Sequence, residues 1–330
     1  MRMVLFLALS ASLHAATNYA VRTIALPGGS ERGIAMDYLA YDAATKSLWV
    51  PAGNTGAVDV LDTKTGAIRR IAGLPTKEIT TGERTRVVGP SSASVGRNVV
   101  YVGNRADSSV CAYDSHSLKQ LRCRTLDAMP DGVVFVAPAN EVWVTTPRDQ
   151  SIRMLDATTL KEKTKITLDG APEGYAVDAK HNTFFTNLED KDETLAIDVR
   201  TRKTTARWKS ACGEAGPRGL VLEPDGKFLF VACTDKVQSF RLGAKPELLS
   251  SADTGAGVDS FDFSPGTQQL FVGAARAGQL SIIDVDRSGR LKTATQLKTA
   301  PGARNGVLGA DGTVYLAHSQ GNELVAVSRQ

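Results

Sequence analysis

Seven polar side chains occupy one recurring register of the chain: Asp37, Ser91, Asp131, Glu173, Arg218, Asp259 and Arg304. Each leads into a short apolar segment, and successive members lie roughly 40 to 45 residues apart after a first step of about 54. If those segments close into a ring, equivalent positions converge. Four carboxylates, two guanidiniums and a hydroxyl then meet at one opening, a set able to grip a polar ligand. Glu173, Arg218, Asp259, Arg304 and, on returning to the start, Asp37 also alternate in sign, so the same residues can instead hold neighbouring segments together as ion pairs. Both readings stand at this stage.

The other reactive residues are few. His116, His181 and His318 lie far apart, and the cysteines Cys111, Cys123, Cys212 and Cys233 show no C-x-x-C spacing, so neither group reads as a metal site. No H-E-x-x-H, G-x-S-x-G, phosphate-cradling glycine loop or dinucleotide fingerprint occurs. The sequence therefore nominates no catalytic residue, no metal ligand set and no cofactor. The acidic run from Glu189 to Glu193 lacks the spacing of a calcium loop and reads as a solvated turn, with cation binding as its alternative.

What must position the seven side chains is a repeat. Apolar or aromatic centres stand at Trp49, Tyr101, Trp143, Phe185, Phe230, Phe271 and Tyr315. Their spacing is roughly 41 to 45 residues after a first step of about 52, the period of propeller blades. The segments around them, such as Val99 to Val102 and Phe228 to Val231, are short and rich in β-branched and aromatic residues, which marks strands rather than helical repeats. Trp49 and Trp143, at strand centres, are expected in the core. Asp62, Asp114, Asp156, Asp198 and Asp284 close the following strands, where an aspartate can accept from backbone two residues on and start a tight turn.

The last unit, from Gly302 to Gln330, has room for three strands, and Asn18 to Leu26 is left over at the other end. That segment is expected to complete the final blade and remove its open edge. The expectation is an all-β chain forming a single seven-bladed β-propeller over residues 17–330. Leu74 to Arg86 lengthens the first step and inserts a loop.

In this layout Cys111 and Cys123 face each other across the outer hairpin of the second blade. Cys212 and Cys233 meet at one end of the fifth. Two disulfides are expected.

Residues 1–16 carry Arg2, an apolar run from Met3 to Leu13 and small residues at Ala15 and Ala16, the three regions of a secretory signal. The run is too short to span a bilayer, which takes about 20 residues. A periplasmic or secreted protein with no membrane span after cleavage is expected, an environment in which disulfides persist. The chain has 39 basic and 35 acidic residues, the basic ones scattered, so nucleic acid is not an expected partner.

The unit from Pro217 to Ala232 (PRGLVLEPDGKFLFVA) resembles the repeat of the YVTN family of β-propellers, and the chain as a whole is similar to YncE-like members. Asp37 to Asp42, Asn187 to Glu193, Ala206 to Trp208, Gly257 to Asp259 and Gly302 to Arg304 carry the likeness further. It implies a seven-bladed propeller, often exported by bacteria, without an agreed catalytic function, and a family counterpart of the Cys212 and Cys233 pair. Ser91 and Arg218 depart from the pattern, which has His and Ser there.

Three functions compete on this basis. The leading one is a non-enzymatic scaffold binding a small molecule, a peptide or a partner protein of the cell envelope at the channel mouth. A metal-dependent lactonase or other hydrolase is the second, and an envelope adhesion module the third.

Overall fold

Stiff β-branched and aromatic residues in runs of about six, separated by turn formers, leave the chain little alternative to short strands. The structure is a computed structural model that describes residues 18–330, so the segment expected to be a secretory signal lies outside the described residues. Among the described residues the strands form seven four-stranded antiparallel sheets and one two-stranded hairpin. Six blades run in chain order from their innermost strand outwards: residues 40–71, 90–125, 133–167, 172–209, 217–253 and 261–298. The seventh takes Ala303–Leu308, Val314–His318 and Glu323–Arg329, and Tyr19–Ala25 completes it, with Tyr19 opposite Arg329 and Ala25 opposite Glu323. The ring closes as the leftover segment required.

Burial follows position within the blade. In the fourth blade the second and third strands, Thr183–Leu188 and Glu193–Asp198, are almost wholly buried, whereas the outermost, Thr204–Lys209, alternates between exposed and half-buried. The core lies between blades. Trp143 of the third blade is fully buried, with its ring 4.7 Å from that of Phe184 in the fourth. At the closure, Ile34, Met36 and Leu48 pack with Tyr315, Leu324 and Ala326 of the seventh blade. Burying one such aliphatic or aromatic side chain contributes roughly 1.5–3 kcal/mol, so each inter-blade seam is a strong joint. Trp49 is likewise fully buried.

Both disulfides form. Cys111 and Cys123 are directly opposed in the outer hairpin of the second blade, and Cys212 joins Cys233 with 5.2 Å between Cα atoms.

Two expectations need correction. Asp62, Asp114, Asp156 and Asp198 do accept from backbone N–H groups two and three residues on, and these bonds hold their carboxyls below the usual range. In the sixth blade the third strand continues to Val285, so Asp286 makes the turn by accepting from Ser288 and Arg290, while Asp284 accepts from the Gln269 side chain. The insertion is not an irregular loop: Lys77–Thr81 and Arg84–Val88 pair as a hairpin beside the first and second blades.

Candidate functional site

The innermost strands begin irregularly, and this aims the side chains of the recurring register. Register shifts fall between Glu173 and Ala176, Pro217 and Leu220, and Arg304 and Val307. Such bulges turn a strand and redirect the residue beside them. Gly174 makes the fourth blade's bend possible: its φ is +67°, and a Cβ there would lie 2.6 Å from the Arg218 carbonyl oxygen. Asparagines tie the bends to neighbouring blades. Asn305 Nδ2 donates to the Asp37 carbonyl at 3.0 Å while its Oδ1 accepts from Ser260 N–H, and Asn187 Nδ2 donates to the Arg218 carbonyl.

Six of the seven register residues converge. Asp37, Asp131, Glu173, Arg218, Asp259 and Arg304 line one chamber of about 380 Å³ at the channel mouth. Ser91 does not join them. It borders an adjoining cavity of about 700 Å³, is 6% exposed, and its backbone carbonyl is taken by Tyr38 N–H while its hydroxyl finds no partner among the described residues. The second blade instead supplies Arg105, from the turn after its second strand.

Arg105 Nη2 lies 2.7 Å from Asp37 and also pairs with Asp131. Asp259 pairs with Arg304 at 2.5 Å, and Arg218 with Glu189. The alternation of sign around the ring is therefore realised in part: Asp259 takes its expected neighbour, whereas Asp37 takes Arg105. Tyr38 donates its hydroxyl to Glu173 at 2.9 Å, with Asp131 at 3.3 Å, and its ring stacks on Tyr175 with centroids 5.7 Å apart. This tyrosine pair also borders a cavity of about 510 Å³ lower in the channel, walled by apolar residues such as Phe135, Leu220 and Val307. It separates a polar upper chamber from a largely apolar lower one.

Burial in the chamber works against charge. Burial, followed by the charges of Asp131, Asp259 and Asp37, holds the Glu173 carboxyl well above the usual carboxylate range. Burial pushes Asp131 up to about 6 against the opposing pull of Arg105. Asp259 is raised by burial and by Asp37. Burial disfavours the Arg105 charge as well, but Asp37 and Asp131 outweigh it and keep the guanidinium firmly protonated. The chamber thus combines a buried carboxyl pushed towards its neutral form with further carboxyls and guanidiniums, a set suited to hydrogen-bonding a polar molecule or to proton transfer.

Reading the register missed Arg105 and Glu189, although the repeat carried a signal for both. Each stands four residues after its strand centre, Tyr101 or Phe185, in the turn that faces the mouth. The acidic run containing Glu189 is used locally: Asp190 accepts from Ala171 N–H, Asp192 from Cys212 and Gly213 N–H, and Glu193 pairs with Arg207 and Lys209. Among the described residues no group of three or more His, Cys, Asp or Glu is arranged to hold a metal ion, and no helix is long and apolar enough to cross a membrane.

No family model and no curated protein matches the sequence. Solved structures do match the fold. A streptogramin B lyase superposes with a TM-score of 0.75 at 13% identity, over 95% of this chain and 98% of the lyase. A virginiamycin B lyase from Staphylococcus aureus gives 0.74 at 11%, over 94% and 99%. A chain of a mitotic checkpoint complex gives 0.75 at 14%, over 99% and 98%. At these identities the likeness is one of architecture: this chain has the seven-bladed β-propeller fold.

Proposed function

We propose that the protein is an exported, YncE-like propeller of the YVTN-repeat type that binds a small molecule or peptide at its channel mouth without transforming it. One observation carries this reading. Six register-equivalent side chains from six blades surround a single chamber, and one of them, Glu173, is buried there with Tyr38 as a hydrogen-bond partner but with no ion pair among the described residues. A ring needing only inter-blade pairing gains nothing from a carboxyl that burial and its neighbours push towards the neutral form, whereas a binding site can use such a group as a directed donor. Export is supported by the two disulfides, which persist outside reducing compartments, and by the leader-like residues 1–16.

A second reading is an enzyme of the lyase or hydrolase type, favoured by the same carboxyl: an acid that burial pushes towards its neutral form is suited to act as a general acid. Two of the similar structures are lyases. A mass-spectrometric search for molecules that co-purify with the protein tests the binding reading. A compound present with the wild type and absent from a folded Glu173→Ala, Arg218→Ala double variant supports it. Equal retention by both removes the mouth from the proposal. Chemical conversion of the compound on incubation favours the enzyme instead. N-terminal sequencing of the exported form, expected to begin after Ala15 or Ala16, tests the location.

A further inference from the structure

The insertion hairpin gives the mouth a second compartment. Its strand Arg84–Val88 packs against the Gly53–Thr55 turn and walls the cavity of about 700 Å³. That volume lies within the range of small-molecule sites, roughly 300 to 1,000 Å³. The cavity joins the polar chamber through shared walls: Asp37, Arg86, Arg105 and Arg304 line both.

Two of its four guanidiniums, Arg105 and Arg304, are compensated by Asp37, Asp131 and Asp259. Arg32, Arg86, Arg105 and Arg304 face Asp37 and Glu78. Asp37 is already taken by Arg105. Arg86 is exposed to the cavity and has no ion pair among the described residues. Arg105 meets both of its carboxylates through Nη2, and Arg304 meets Asp259 through Nη1, so each guanidinium keeps further N–H donors. The remaining wall is apolar, with Ile34, Met36, Val87, Val88 and Pro90.

We infer that the cavity takes a small organic carboxylate. Its acid group sits at the junction, on Arg86 and the remaining donors of Arg105 and Arg304, and its apolar body lies against Met36, Val88 and Pro90. A cation is disfavoured there because Arg86, which lines both compartments, would repel it. A wholly polar anion would leave the apolar wall unused. The inference rests on the binding reading of the mouth and adds the class of ligand and the side on which it lies.

The test uses butyrate, octanoate and phenylacetate as probes, each alongside its primary amide and its amine counterpart, by saturation-transfer NMR and calorimetry. Carboxylates are expected to bind at least roughly tenfold more tightly than their amides, because the amide cannot accept as an anion. Arg86→Ala is expected to weaken carboxylates roughly 10- to 100-fold and leave amides unchanged, with Arg86→Lys restoring part of the loss. Arg86 is an exposed hairpin residue, so the variant's melting temperature should match the wild type. Equal or tighter binding of amides or amines overturns the carboxylate assignment. So does carboxylate binding that ignores Arg86→Ala. If amide or amine binding disappears in the Glu173→Ala, Arg218→Ala variant, the mouth survives as the site and only the ligand class falls. If no probe binds and nothing co-purifies, both readings fall.

Discussion

Asp262 offers a test of how strongly this channel resists charge. It lies on the innermost strand Phe261–Ser264 of the sixth blade and accepts from Phe263 N–H at 2.8 Å and, across the seam, from Leu308 N–H at 2.9 Å. Burial pushes its carboxyl from 3.8 up to about 6 despite both hydrogen bonds. That difference corresponds to about 3 kcal/mol. Because the folded value is raised, the folded state holds the proton more tightly than the unfolded chain. The group's contribution is then fully present below about pH 4 and is lost as pH rises through about 6. Asp262→Asn removes that dependence. It also leaves one of the two N–H donors facing an amide NH₂, at a cost of roughly 1–3 kcal/mol. The variant should therefore be clearly less stable than wild type near pH 4.5 and approach it by pH 7.5, the gap closing by about 2 kcal/mol. Urea unfolding at several pH values between these limits, followed by tryptophan fluorescence, measures the gap. A gap that stays constant across the series refutes burial as the controlling influence on Asp262.

Asp59 and Asp131 are also pushed up to about 6, so wild-type stability should fall between about pH 4 and pH 7 rather than rise, which thermal melts across that range will show. The disulfides close segments with sequence separations of 12 and 21, so replacing either pair by serine should cost about 3 kcal/mol in chemical denaturation. Trp143 is fully buried against Phe184, donates to Glu141 at 3.0 Å and lies under the Arg202 guanidinium, so Trp143→Ala should lower unfolding free energy by about 3–5 kcal/mol. Deleting residues 19–25 uncovers the edge of the seventh blade, and size-exclusion chromatography should then show self-association through the open strand.

The blade repeat, the ring closure and both disulfides were legible because each depends on spacing alone. A centre such as Trp143 repeats its neighbours' chemistry, and Cys111 faces Cys123 once the outer hairpin is in register. The bend at Glu173 was not legible, since it needs Gly174 at positive φ against the Arg218 backbone of the next blade. Nor was the Tyr38–Tyr175 stack, which joins the first and fourth blades across the channel. Ser91 shares the register of the other six but borders the neighbouring cavity, and the second blade reaches the mouth through Arg105 instead.

The sequence by itself determined the number of blades and the strand that closes them, because strand period and turn chemistry are local and repeat along the chain. Only the tertiary structure decided which charges pair, which carboxyl is pushed furthest towards its neutral form by burial and where the hairpin stands. Those outcomes depend on distances and burial among residues of different blades, from Arg105 and Asp131 to Tyr38 and Glu173, and no spacing rule encodes them.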